Sequence, residues 1–483
     1  VTGARIGTHA HCRRDLDTDD GGVFPWSFVS DPSDLLFYLA LVLLPVDGTV
    51  AGVSLPYWSP LSPWFFLAYA VANWRVFGRV FRRYAAFMLL PVLLALMSVY
   101  GWMTMGFHAA AAAKSIGSVV LGLACLASLE IALRIKRLDW RPMVTVLVAA
   151  YSFAFLVGVL QWASARWQIN DVRVFFGRLM LRQYAVVRPQ FLFAEPSYIG
   201  MHLYGVLLPV YWLARDRRVA SLIPVFACGA VFMGAGTRIV IDTVVAGVLW
   251  VVADVNLRRR WTKTGVIGAA GGIALATTGV VIAVLRDPRL GRIASQGLLT
   301  GDGSMSARIV RSLAPAWSWM HDTGHALTGW GAGNISAAMR SGYDGAMRWY
   351  EGRGGLVTGE IRALANPTAD VFTMSGYVSF ITEFGIIGMA VLMALTIMEV
   401  ARHGRWSRGI VCCLVLVAYL YTQFEAYAFY ALPLVVWGVG RMGRMESGQR
   451  FETTPTVIRE VLPANSSLYN QDRLGHDASI GRV

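Results

Sequence analysis

The amino-acid sequence predicts an all-α polytopic integral membrane protein, a bundle of about twelve transmembrane helices with a large extracytoplasmic loop. Three observations carry that expectation. Of 483 residues, 56% are hydrophobic and only 15% charged, well below the roughly 25% charged residues of soluble domains. Apolar runs of about 17 to 25 residues, enough to cross a hydrocarbon layer as helices, recur along the chain. Basic clusters fall on alternate connections between those runs, which places them together on the cytoplasmic side.

In chain order the expected spans are 34–53, 61–77, 84–103, 115–133, 143–165, 198–214, 221–236, 239–256, 264–285, 376–400, 409–425 and 427–442. The basic connections hold Arg75, Arg79, Arg82 and Arg83; Arg134, Lys136, Arg137 and Arg141; Arg215, Arg217 and Arg218; Arg258, Arg259, Arg260 and Lys263; and Arg402, Arg405 and Arg408. Their parity puts both termini in the cytoplasm of a multi-pass inner (plasma) membrane protein. The expected organisation is a cytoplasmic arm (1–33), nine spans within 34–285 interrupted by an external loop (166–197), a large external loop (286–370), three spans within 371–442, and a disordered cytoplasmic tail (443–483).

The arm mixes Arg13 and Arg14 with Asp15, Asp17, Asp19 and Asp20 and has no apolar h-region, so no cleavable signal is expected and the first span serves as the membrane signal. Cys12 lies in the arm, and Cys125, Cys228, Cys412 and Cys413 lie in expected spans, which leaves no external disulfide and no Cys-x-x-Cys metal pattern. The formal charge of +14 does not point to nucleic acid, because the positive-inside rule accounts for the clusters. Neither a tandem repeat nor a phosphate-binding Walker loop is present.

The two external segments depart from the positive-inside pattern. The first carries Arg166, Arg173, Arg178, Arg182 and Arg188 against Asp171 and Glu195, and the second has nine arginines, Arg286 to Arg362, and no lysine. A guanidinium presents a rigid fork to phosphate oxygens and tolerates partial dehydration better than an ammonium. An anionic external partner is expected; the plainer alternative is a solvated surface in a lysine-poor chain.

Three motifs stand beside these arginines. "RPQFLFAEPSYIG" at 188–200, "GDGSMSARIVRSLAPAWSWMHDTGHALTGWGAGN" at 301–334 and "SGYVSFITEFGIIGM" at 375–389 together resemble the O-antigen polymerase and ligase superfamily. The likeness covers about 188 to 400: an Arg…Phe-x-Glu-Pro-Ser entry into a membrane helix, an Arg…Trp…Gly-x-Gly-x-Gly-Asn external element, and a returning helix with Glu383, Gly385 and Gly388. The resemblance implies a GT-C-like membrane glycosyltransferase, without metal or cofactor, that transfers undecaprenyl-diphosphate-linked glycan to a sugar hydroxyl on the external face. It implies partnership with membrane lipid and with a flippase and chain-length regulator of the same pathway. The ligase branch commonly has His about nine residues before Glu383; this chain has Met374 there, so polymerisation of repeat units is the closer match and ligation the alternative.

Breaking a bond from sugar C1 to diphosphate places negative charge on the leaving group, and preorganised arginines stabilise it. Arg188 and Arg308 are the first choices, with Arg311 one helical turn from Arg308. Arg238 in "GTRIVID" either pairs with Asp242 or reaches the diphosphate. Glu195, before Pro196 at a helix start, either orients Arg188, takes a proton from the attacking hydroxyl, or simply caps the helix. His325, directly before "ALTGWGAGN", is a candidate general base or diphosphate ligand. Tyr377 and Glu383 on the returning helix are candidate substrate contacts, Glu383 alternatively holding the loop motif or merely capping the break at Gly385 and Gly388. "HDTGH" spaces His321 and His325 by four residues, but Gly324 between them and the lack of a third ligand argue against zinc. The competing class is a flippase or secondary transporter, whose related halves and mid-membrane helix breaks are not evident in the sequence; a non-catalytic scaffold is the third.

Overall fold

The computed structural model describes residues 31–53, 55, 58–182, 184, 188–236, 238–254, 295, 297, 303–403 and 406–446. The arm to residue 30, the expected span 264–285 with the basic connection before it, Arg286, Arg289, Arg292 and the tail from residue 447 lie outside the described residues.

Among the described residues the regular structure is helical, and the extended segments make only isolated bridges, Thr49 with Met180 and Leu55 with Trp58. The helices are α1 (Asp34–Val42), α2 (Ser62–Ala72), α3 (Trp74–Met88), α4 (Leu90–Met105), α5 (Ala109–Glu130), α6 (Trp140–Arg166), α7 (Asn170–Leu179), α8 (Ile199–His202), α9 (Leu208–Ala214), α10 (Arg217–Phe232), α11 (Arg238–Asp254), α12 (Gly303–His321), α13 (Thr323–Thr328), α14 (Ile335–Glu351), α15 (Gly359–Ala363), α16 (Gly376–His403), α17 (Arg408–Tyr421) and α18 (Ala431–Glu446). Four helical stretches are long and apolar enough to cross a membrane: Trp74–Met105, Ala109–Ile135, Trp140–Arg166 and Gly376–Arg402. Their outer faces carry stripes of exposed apolar side chains, such as Val92, Leu96, Val99 and Met103 on α4 and Phe153, Leu156 and Leu160 on α6. Lipid is the solvent such stripes fit.

The structure corrects three sequence expectations. The run 34–53 is not one helix: α1 stops at Val42, three residues before Pro45, which cannot continue it. The chain then lies against 179–194, where Gly48 N donates to the Leu192 carbonyl (3.1 Å), Val50 N to that of Leu179 (3.0 Å) and Leu181 N to that of Gly48 (2.9 Å). Nor are Arg75, Arg79 and Arg82 in a loop. They occupy the exposed face of α3, whose other face buries Val80, Tyr84 and Phe87, so amphipathic spacing extends the helix through the basic cluster. Finally, the run 198–214 is a composite: a 3₁₀ turn Pro196–Tyr198, α8, a π turn Leu203–Leu207 and α9. Pro209 has no amide hydrogen for the carbonyl four residues back, and the ladder widens before it.

The main core joins α1 to α6, α8 to α11 and α16 to α18, with Phe37, Phe66, Tyr198, Phe424 and Phe429 fully buried in it. A second, smaller core packs α12 against α14 and α15 through Val310, Ala314, Met339, Ala346, Tyr350 and Ile361. The segment 303–370 is therefore a folded helical cap.

Candidate functional site

The segment that enters α8 places Glu195 in extended backbone (φ −146°, ψ 153°) just before the Pro196–Tyr198 turn. Its side chain is buried, 5% exposed, so its charge needs partners. The Arg182 guanidinium pairs with Oε1, Ser197 Oγ donates to Oε2 at 2.9 Å, and the Tyr184 hydroxyl lies 3.5 Å from Oε1. Burial, and then the charge of Glu195, push the Tyr184 phenol up, while Arg182, Arg188 and Arg308 act on it in the opposite sense. Tyr184 thus stays a protonated donor, with the charges of three guanidinium groups acting on it. The Arg188 Cζ lies 5.3 Å from the Tyr184 ring centroid, a cation–π distance.

A second carboxylate closes the group. Asp242 on α11 is buried; Arg238 Nε is 3.4 Å from its Oδ2, and the Tyr419 hydroxyl donates to Oδ1 at 2.8 Å. Arg238 also donates to the Gln423 carbonyl at 2.6 Å. Arg308 on α12 is close enough to act electrostatically on both Asp242 and Tyr184. One turn on, Arg311 donates to the Phe372 carbonyl (3.2 Å) and to Glu360 (3.1 Å). The Phe372 ring is shared by Arg311 (4.5 Å) and Arg182 (5.6 Å). Three ion pairs, Arg182 with Glu195, Arg238 with Asp242 and Arg311 with Glu360, thus stand with two further guanidinium groups, Arg188 on the Tyr184 ring and Arg308 within electrostatic range of Tyr184 and Asp242. The positive excess suits an anion with several oxygens. Among the described residues Arg308 acts on Tyr184 and Asp242 through its charge alone.

Of the expected site residues, Arg188, Glu195, Arg238, Arg308 and Arg311 come together. Of the alternatives open for Glu195, orienting Arg188 is not what its ion pair does; that pair is with Arg182. His325 does not join the group. It is 3% exposed, between the rings of Tyr100 (5.0 Å) and Trp330 (4.6 Å), and both ring nitrogens are engaged: Nδ1 with Asp322 Oδ2 at 2.6 Å and Nε2 with Thr104 Oγ1 at 2.8 Å. The general-base role expected for it gives way to that of a brace between α4 and α13. Asp322, which caps α13, has its carboxyl held below the usual carboxylate range chiefly by the His325 amide. Its contribution is complete above the ordinary carboxylate pKa and is lost as pH falls through the lowered folded value. Asp322→Ala is expected to destabilise the cap by about 1 kcal/mol, checked by thermal unfolding in detergent.

Glu383 likewise has its oxygens engaged elsewhere. Its oxygens accept from Gly333 N (2.7 Å), Ser115 Oγ (2.7 Å) and the Tyr427 hydroxyl (2.9 Å), so of its three expected roles the geometry assigns loop anchoring rather than substrate contact or a cap on the break. α16 breaks at Gly385 (φ 71°, ψ 175°), which frees the carbonyls of Thr382 and Glu383 for Trp330 N (2.7 Å) and Gly331 N (3.1 Å). The glycine motif at 329–334 is the dock of the cap on the broken helix. The Tyr377 hydroxyl donates to the Ala418 carbonyl at 2.9 Å, tying α16 to α17 instead of contacting the arginines.

Arg182, Tyr184, Phe372 and Tyr419 are the site residues that sequence reasoning passed over. Arg182 was visible only as one of five arginines in its segment; no motif distinguishes it, and only the fold brings it to Glu195. Among the described residues no cluster of three or more His, Cys, Asp or Glu fit for a metal ion occurs. No protein-family model and no curated protein matches the chain.

Proposed function

We propose that this protein is a membrane glycosyltransferase that polymerises undecaprenyl-diphosphate-linked oligosaccharide repeat units on the external face of the inner membrane. The observation that carries this reading is the meeting of arginines from three distant segments around buried Glu195 and Asp242, beside helices whose apolar faces suit lipid. A diphosphate at a membrane surface offers the oxygens that such forks bind in pairs. Arg188 and Arg308 stabilise the charge that develops on the departing diphosphate; Arg182 and Tyr184 hold Glu195, which takes the proton of the attacking sugar hydroxyl. The motif likeness to O-antigen polymerases and ligases supports the same reading, and Met374 in place of the ligase-type His favours the polymerase branch. The twelve-span topology, with 166–197 and 286–370 external and both termini cytoplasmic, is part of the proposal.

Two experiments test it. Purified protein is expected to bind undecaprenyl diphosphate with an affinity that Arg308→Lys lowers, because a point ammonium does not replace a planar fork; equal binding by the two proteins rules out bidentate recognition. In a cysteine-free background, Ser341→Cys is expected to react with an impermeant thiol reagent in intact cells and Arg217→Cys only after lysis. The reverse labelling pattern overturns the topology and the external site with it.

A further inference from the structure

A buried relay behind the site is not used by this mechanism. Asp47, His202 and Tyr151 are each 0% exposed and come from three elements: the segment after α1, the end of α8, and α6. The Tyr151 hydroxyl is 2.9 Å from His202 Nδ1, and His202 Nε2 is 2.9 Å from Asp47 Oδ2. The other carboxylate oxygen, Oδ1, accepts the amide of Ala194 at 2.8 Å, and Ala194 directly precedes Glu195. Phe193 stacks on the imidazole with centroids 4.3 Å apart and planes 21° apart, and Phe429 meets it edge-on at 5.1 Å. With Tyr151 donating to Nδ1, the ring proton sits on Nε2 and is donated to Asp47, so every heteroatom of the chain is used once.

Such a network has a high cost if any member is lost, since each remaining polar group is then buried without a partner. A core brace alone would not need to end on one particular amide. Here the neighbouring backbone is held by a second set of bonds: the Gln161 side chain accepts from Gln190 N (3.0 Å) and Phe191 N (2.8 Å), and Gln190 Nε2 donates to the Phe193 carbonyl (3.1 Å). Phe191 is locked in the left-handed region (φ 61°). All of these bonds fall on 190–194, between Arg188 and Glu195.

We infer that Asp47, His202 and Tyr151 are positioning residues that set the Glu195 carboxylate through the Ala194 amide. The inference rests on the proposed function for its effect on turnover, but the hold on the backbone can be read without it. His202 is the point to test: His202→Phe keeps a ring for Phe193 and Phe429 and removes both nitrogens, whereas the Nε2 of His202→Gln can still donate to Asp47.

The full-length proteins are compared in three measurements: hydrogen–deuterium exchange of the peptide 188–200, binding of undecaprenyl diphosphate, and turnover of the lipid-linked repeat extracted from cells lacking the gene. The expected result for His202→Phe is faster exchange in 188–200, unchanged binding and KM, and a kcat lowered roughly 100-fold, the effect of misplacing a reacting group by about 1 Å. His202→Gln is expected to recover most of that loss. Unchanged exchange in His202→Phe overturns the relay's hold on 188–200. Faster exchange with wild-type kcat per folded molecule reduces the relay to a structural brace and overturns the positioning role, as does equal loss in both variants. Failure of the wild-type protein to bind undecaprenyl diphosphate overturns the functional reading instead, and the exchange comparison still decides the relay.

Discussion

Replacing Arg188 and Arg308 together by alanine is expected to leave cells with glycan one repeat long, at normal protein level. Each removed donor to a developing oxyanion is worth about 10²–10³ in rate, so the pair reduces polymer to an undetectable yield. Both side chains are half-buried and belong to neither apolar core, so their loss removes little apolar burial. Gel analysis of chain length, with immunoblotting for protein level, checks the result. A lost flippase strands the lipid-linked repeat on the cytoplasmic face, and a lost ligase leaves long chains on the carrier; either pattern assigns the protein to that step instead. Long polymer at normal yield in the double mutant sinks the mechanism.

A comparable loss, by a different route, is expected from alanine at Gly385 or Gly329. Gly385 (φ 71°, ψ 175°) and Gly329 (φ 88°, ψ 163°) occupy backbone regions essentially closed to other residues. The new methyl would also run into backbone: the Leu327 carbonyl for Gly385, and the Glu383 carbonyl for Gly329. Strain alone costs about 1–3 kcal/mol, and the undocked loop gives up the bonds of Trp330, Gly331 and Gly333 as well. Lower protein yield, a lower unfolding temperature and protease sensitivity confined to the cap are the expected readouts. A variant of either glycine with wild-type stability and polymer length contradicts the docking role. Because the two glycines share one contact, the double mutant is expected to lose less than the sum of the singles.

The membrane class was legible in the sequence because hydropathy and basic clusters are sums over local composition, and lipid obliges the spanning backbone to close its own hydrogen bonds. Run length gave positions for α5, α6 and α16 close to those observed, whereas 34–53 failed, because apolarity alone does not distinguish a helix from a buried extended segment whose amides pair elsewhere. The arginine types pointed to an anionic partner, since the guanidinium fork carries its chemistry wherever it lies. Which arginines act together was decided by tertiary structure. Arg182 meets Glu195 only because the chain after α7 returns beside the segment that enters α8, and Arg308 comes within electrostatic range of Asp242 only because α12 is held by its packing on α14 and α16. The same folding removed His325 and Glu383 from the site: the break at Gly385 exposes two carbonyls, and the glycine loop that pairs with them carries His325 into the space between Tyr100 and Trp330. Asp47 and His202, 155 residues apart, left no local trace, because a hydrogen bond between distant elements has no period, composition or spacing by which a linear sequence reveals it.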